Sequence, residues 1–332
     1  MSTLVFFHLL ADRHGAPAAL LFEQGDAPQS AADPDDAAWG VVDVEALRAL
    51  SAEWPCFYPA QLAPASAAPL RAAGWRALDA AGVLRTDAPM TQAAAPPAAG
   101  PAWIVGHWCL APPATAPSRQ GASGGSALQL AHLVARDADT HEIEALLRHD
   151  PALSYHLLRL VNAPGIGNGR RVTSFAQAIL MLGRQQLKRW LNLMLFAARA
   201  DDVRSRMLLA RVAVRARAME LLARAGGMPR PVQEQAFMAG MFSLLGVLFG
   251  LPLAELLQPL LIGEAVQAAL LARDGELGAL LLLMEAAERG DFAAVAVQLQ
   301  ALQTAPREFN QVMLDANLWS LAVLREGADA HA

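Results

Sequence analysis

From Ala127 to Arg325 the chain is written in helical grammar: apolar residues recur three and four places apart, Ser, Asp and Pro open segments, and Gly closes them. A pattern of this kind forces helices to bury one face each against one another. Composition points the same way, because Ala and Leu dominate, aromatic residues make up 6% and β-branched residues are sparse, which favours helix through side-chain entropy. With 332 residues, 55% of them hydrophobic and 17% charged, the chain has enough apolar material for two ordinary cores.

Individual helix boundaries can be read from their caps. Asp139 with Glu142 makes a capping pair for a helix through Leu147, and Asp150 before Pro151 starts another that ends near Asn162. Leu153, Leu157, Leu160 and Val161 form the apolar face of that second helix. After the Gly-rich turn Ala163–Gly169, Ser174 and Gln177 form a capping box for a helix closed by Gly183, and a longer helix follows over Arg184–Ala200. Further helices are predicted over Arg204–Ala225, Pro231–Phe249, Pro252–Leu260, Glu264–Ala272, Leu277–Arg289 and Pro306–Arg325. No segment repeats at a fixed period, which argues against a solenoid.

The first third differs. Leu4–Leu10 and Ala18–Glu23 read as strands joined by a Gly15-Ala16-Pro17 turn, and Val44–Glu53 and Pro64–Ala81 as helices, the second capped by Gly82. Trp103–Leu110 reads as a short buried strand between two low-complexity stretches, Thr91–Pro101 and Pro112–Ser126. The expected organisation is therefore a small α/β domain over 1–111, a Pro/Gly/Ser-rich linker over 112–126 and an all-helical domain over 127–332. The fold class is mainly α.

Several function classes are disfavoured at this point. A net charge of -5 and a pI near 5.9 provide no global positive field for a polyanion, so no nucleic-acid partner is expected. Cys56 and Cys109 lie far apart and outside any CxxC pattern, which suggests neither a disulfide framework nor a structural zinc. The opening MSTLVFFHLLADRH lacks a basic lead-in and a full apolar core, giving a cytoplasmic expectation. The uncharged 19-residue run Ala236–Ala254 contains Ser243, three glycines and Pro252, so it is expected to be a buried helix ending near Gly250, not a membrane span.

The segment around Asp150, Pro151, Leu153, Leu157–Leu160 and Asn162, followed by Ser174, Ala178, Ile179, Leu182 and Gly183, resembles the HDOD domain. Later segments, Arg217–Gly227, Ala236–Leu257 and Gly275–Phe292, resemble the EAL-HDOD signalling subgroup, in which that domain follows an EAL-type domain. The resemblance implies an all-helical, HD-like fold related to the metal-dependent HD phosphohydrolases, and a role in bacterial signalling. In those hydrolases a helix carries G-L-L-H-D-I-G, whose His and Asp hold the metal that activates water. This chain has Gly240-Met241-Phe242-Ser243-Leu244-Leu245-Gly246 at that place, with Ser243 for the His and Leu244 for the Asp. A leucine cannot donate to a metal. His149-Asp150 is another HD dipeptide, but Asp150 already serves as a helix cap, and His132, His141 and His156 stand singly on different helices. No metal and no cofactor are expected.

The N-terminal part is tested in the same way. Glu45-Ala46-Leu47 spells EAL, yet Arg48 comes one place early and the segment reads as helix, while Asp12, Glu23, Asp43 and Glu45 show no two-metal constellation. The resemblance implies at most a shortened, degenerate EAL-like remnant. Between Arg184 and Arg224 ten basic residues face three acidic ones. Arg204, Arg211 and Arg215 share one helical face and Arg206, Arg217 and Arg224 another, which reads as ordinary solvated helix surface and not as one binding stripe. Trp190 and Trp319 read as core or groove residues.

The expectation is thus a non-catalytic signalling protein with no catalytic residues, acting through a protein partner at a surface that includes Asn162, Arg184, Lys188, Arg189 and Trp190. Two alternatives stay open. One is a receptor for a nucleotide second messenger, cyclic di-GMP, and the other a metal-dependent HD-type phosphohydrolase.

Overall fold

Two strands with continuous buried runs begin the structure, β1 (Thr3–Ala11) and β2 (Pro17–Asp26), paired antiparallel with Thr3 opposite Asp26 and Leu10 opposite Ala19. The computed structural model describes residues 3–26, 43–88, 100–112, a few positions between 129 and 143, 202–258 and 263–328. Asp12 closes the turn between the strands by accepting from the His14 and Ala16 amides at 2.8 and 2.9 Å, and Gly15 supplies the left-handed φ of 80°.

Helix α1 (Val44–Glu53) is capped by Asp43, whose carboxylate accepts from the Glu45 amide. It leads into β3 (Cys56–Pro59), α2 (Pro64–Ala72) and β4 (Arg76–Leu78), with β2, β3 and β4 mutually parallel. β5 (Val83–Arg85) and β6 (Trp103–Val105) pair in parallel, and β6 joins β1 antiparallel, giving a six-stranded sheet of order β4-β3-β2-β1-β6-β5 among the described residues.

Two N-terminal expectations are corrected. The helix expected over 64–81 ends at Ala72, because Gly74 turns into the left-handed region at φ 85° and the Trp75 indole N–H is drawn onto the Leu47 carbonyl. Ala80–Gly82 forms one 3-10 turn instead of a helix end. The strand expected over 103–110 stops at Val105, since Gly106 takes φ 127° and a 3-10 turn follows over Trp108–Leu110.

The helical part shows helical positions at 129, 133 and 140–143 among the described residues, and its first whole helix there is α3 (Ser205–Ala225). A hairpin through Gly226 and Gly227 returns the chain as α4 (Arg230–Phe242). Two short helices, α5 (Leu245–Phe249) and α6 (Leu253–Leu257), flank Gly250, whose φ of 61° ends α5. Then come α7 (Glu264–Ala272), α8 (Gly275–Glu288), α9 (Phe292–Ala301) and α10 (Pro306–Ala328). The single helix expected over 231–249 is therefore two, parted at Ser243 and Leu244, and α9 was not expected at all. Its cap is legible in retrospect: Asp291 accepts from the Ala294 amide. Asp139 and Glu142 do not form a reciprocal capping box, because the Glu142 carboxylate is paired with Arg136. The helices expected between 150 and 200 lie outside the described residues.

Sheet and helices share one apolar core. Phe6 of β1 stacks on Phe292 at 4.2 Å and meets Phe309 edge-on at 6.3 Å. Asn310 of α10 accepts from the Val5 amide at 3.0 Å and donates to the Thr3 carbonyl at 2.8 Å, so a helix side chain satisfies the backbone of β1. The run Arg230–Phe249 is long and apolar enough to cross a membrane by length and composition, but its larger part is buried against the other helices and it is broken in the middle.

Helix α4 approaches α3 at Gly240, where an added Cβ would lie 2.5 Å from the Ala216 Cα. Gly240→Val is expected to lose about 2 kcal/mol or more by forcing the two backbones apart, measured by urea unfolding of the full chain. Burial pushes the Cys56 thiol up to about 12 and raises that of Cys109, so both should stay unmodified by a thiol reagent at pH 8 until denaturant is added.

Candidate functional site

The α3–α4 crossing brings Arg215 against Ser243, the residue that the resemblance aligns with the His of the HD motif. Arg215 Nη1 donates to Ser243 Oγ at 2.7 Å, and Ser243 Oγ donates to the Gly240 carbonyl at 2.6 Å. On its other side the guanidinium grips Glu288, at the end of α8, through Nε and Nη2, both at 2.7 Å. Arg215 is 3% exposed and Ser243 9%, so the charge is held inside the protein. Leu244 is buried in the shared core.

Burial works against both charges of this pair, and each partner outweighs it in the other. Glu288 is held below the usual carboxylate range by Arg215, with help from Arg211, and Arg215 keeps its proton more firmly than a free guanidinium. Arg211, one turn earlier on α3, donates from Nη2 to the Gly106 carbonyl at 2.7 Å and brings Nη1 to 3.5 Å from Glu288. The Gly106 turn is closely built, since an added Cβ would sit 2.2 Å from the Thr86 carbonyl oxygen.

Beyond Glu288 a cavity of about 390 Å³ opens between the sheet and helices α3, α8 and α10. His8 and Glu23, on adjacent strands, pair across it at 2.7 Å, and the His8 hydrogen bond holds Glu23 below its ordinary value despite partial burial. Asp87 accepts from the His107 amide at 2.7 Å and lies 3.3 Å from His107 Nδ1; the amide bond is the main reason its carboxyl is lowered. Arg85, Arg289 and Asn317 complete the polar wall, with Val105, Val214, Met284 and Met313 on the apolar side.

Asn162, Arg184, Lys188, Arg189 and Trp190, the expected interaction surface, lie outside the described residues, as do His149 and Asp150. Ser243 and Leu244 are placed, Ser243 sharing Arg215 with Glu288, a residue the sequence did not single out; nor did it single out His8, Asp87 and His107 of the cavity beyond. One expectation is overturned. Arg204, Arg211 and Arg215 do not form solvated surface: they turn inward, Arg204 onto Asp202 and the Ala111 carbonyl, the other two as described. Their i, i+7 and i+11 spacing along an Ala/Val-rich helix was the available signal. Trp319 packs edge-on against Phe237 at 6.0 Å, with Arg217 over its ring. Among the described residues no three His, Cys, Asp or Glu side chains gather as a metal site would need.

Residues 126–262 match the family model of the HDOD domain, so the resemblance carried by the motifs holds over that stretch. The chain carries an HDOD domain. Among its relatives, the cyclic di-GMP phosphodiesterase CdgJ of Vibrio cholerae is 32% identical over 189 residues, 57% of this chain and 43% of that protein. The uncharacterized protein YuxH of Bacillus subtilis is 28% identical over 148 residues, 44% of this chain and 36% of that protein. The chain thus spans about two fifths of the length of these curated relatives. A solved structure from Shewanella amazonensis, provisionally named a phosphohydrolase, is 16% identical with a TM-score of 0.43, covering 61% of this chain and 93% of its own.

Removing one member of the buried pair strands the other, so Glu288→Ala should cost about 3–5 kcal/mol. The double change Arg215→Met with Glu288→Leu should cost less than the two single changes added, as read by urea unfolding. Because the folded Glu288 pKa is depressed, the pair's contribution is present above about 4.3, the unfolded value, and is lost as pH falls through the lower folded value. The part of acid destabilisation that disappears in Glu288→Gln measures it.

Proposed function

We propose that the chain is a non-catalytic signal-transduction protein whose HDOD domain acts by binding a protein partner. The observation that carries this reading is the Arg215–Ser243 contact. Where an HD hydrolase needs two metal-donating side chains, this chain has a hydroxyl spent on Gly240 and Arg215, and a leucine with no lone pair to give. The guanidinium also places a fixed positive charge there, which opposes a divalent cation. With the water-activating ion unsupported at that place, what persists of the fold is its helical surface.

On this reading Asn162, Arg184, Lys188, Arg189 and Trp190 form the partner-facing surface, and the protein works in the cytoplasm. Segments 1–111 and 127–332 would be the two units, the first a shortened remnant of an EAL-type domain that no longer holds metals. The succession β2-α1-β3-α2-β4, with its strands parallel, supports a remnant of an α/β domain. A second reading is favoured by the name of one relative, a cyclic di-GMP phosphodiesterase: a receptor for that nucleotide using Arg184 and Arg189.

The test uses the full chain. Affinity capture from native lysate is expected to enrich one protein that the Arg184→Glu, Arg189→Glu double variant fails to retain. Manganese-dependent hydrolysis of cyclic di-GMP or another phosphodiester, with stoichiometric bound metal, would overturn the proposal. Saturable binding of cyclic di-GMP without turnover, lost in the same variant, would support the receptor instead.

A further inference from the structure

We infer that the cavity between the sheet and helices α3, α8 and α10 is a binding site for a phosphate ester of nucleoside-monophosphate size. The inference is independent of the partner-binding reading, because it concerns another part of the molecule and another readout. Its first support is a set of donors that the wall's own acceptors leave unused. Each carboxylate on the wall already has a hydrogen-bond partner: Glu23 has His8, Asp87 has the His107 amide, and Glu288 has the forked grip of Arg215.

Three further guanidiniums line the cavity near these carboxylates without a hydrogen bond to any of them. Arg85 reaches the cavity from the sheet, Arg289 from the end of α8, and Arg211 from within α3. Arg211 Nη1 is buried and makes no hydrogen bond; its nearest acidic oxygen, 3.5 Å away on Glu288, is already taken by Arg215. Planar guanidinium forks lining a partly enclosed space match the oxygens of phosphate and of carboxylate groups, and a phosphate ester has three terminal oxygens to offer them where a carboxylate has two.

The second support is a set of unsatisfied polar atoms. Asn317 is 1% exposed, and its amide nitrogen donates to the Met313 carbonyl at 2.7 Å, which fixes the side-chain orientation. Its Oδ1 then has no partner, an acceptor in want of a donor on a residue that lines the cavity. His107 Nε2 is buried and unpartnered as well, while Nδ1 faces Asp87. A ligand with phosphate oxygens at one end and hydroxyl or amino donors at the other satisfies both kinds of group.

Size and walls narrow the choice. A volume of about 390 Å³ is at the small end of the ligand-pocket range, and Val105, Val214, Met284 and Met313 give its lining an apolar side for a flat ring. Inorganic phosphate would leave that side and Asn317 unused. A cyclic dinucleotide is twice the size of the proposed ligand, which separates this site from the receptor reading at Arg184 and Arg189.

Calorimetric titration of the full chain tests the site with the four ribonucleoside 5′-monophosphates, ribose 5-phosphate, inorganic phosphate and cyclic di-GMP. At least one monophosphate is expected to bind one-to-one with a Kd below about 1 mM and more tightly than inorganic phosphate. Arg85→Ala and Arg289→Ala, both at exposed positions, should keep the parent Tm and weaken that binding about tenfold each. No binding of any monophosphate, binding unchanged in both variants, or binding of cyclic di-GMP alone would overturn the inference.

Discussion

The contact between Gly240 and Ala216 sets the geometry on which the helical part depends. A glycine lets α4 come so close to α3 that a side chain of any size would meet the Ala216 backbone. At that distance Arg215, next to Ala216, has nowhere to go but inward, and its charge must be met where it lies. Ser243 meets it from the end of α4 and Glu288 from the end of α8. One close approach thus ties three helices together through a buried cation, next to the place where Leu244 leaves the helical conformation and α4 gives way to α5.

The union of sheet and helices rests on a different device. β1 runs through the middle of the sheet, and the helix side chain of Asn310 satisfies its first backbone groups while Phe6 stacks on Phe292. Because α10 and α9 hold one end of β1 and α3 holds the β6 turn through Arg211 and Gly106, the sheet is fixed against the helices at two places with an open space between them. The cavity is the residue of this arrangement. Its walls carry polar groups from both sides, so filling it would strengthen the contact between sheet and helices.

Much of this could be read from the chain. The bounds of α1 and α7 follow from their helical patterns, and the hairpin β1–β2 from two apolar runs joined by the Gly15-Ala16-Pro17 turn. The short strands β3, β4 and β5 could not be read, since three or four residues hold too little of a period-two pattern and their pairing partners are set by α1 and α2 folding back. Helix α9 escaped notice because its FAAVAVQLQA alternates as a strand would, and only Asp291 marks it as a helix. The site was half legible. The replacement of the HD pair by Ser243 and Leu244 is a statement about sequence alone, whereas the pairing of Arg215 with Glu288 spans 73 residues and needs the fold.

That pairing bears on what such a core can do. A metal bound by His and Asp can be lost, exchanged or used to polarise water, because its ligands do not fill its coordination sphere. A guanidinium in the same neighbourhood is part of the chain: it cannot dissociate, it has no open coordination position, and its donors are directed at fixed acceptors. Arg215 spends Nε and Nη2 on Glu288 and Nη1 on Ser243, leaving little to offer a ligand. Arg211, one turn away, is only partly used, and it is this second arginine that faces the cavity. The same helix therefore divides its cations by depth: the inner one completes the architecture, and the outer one retains the capacity to bind.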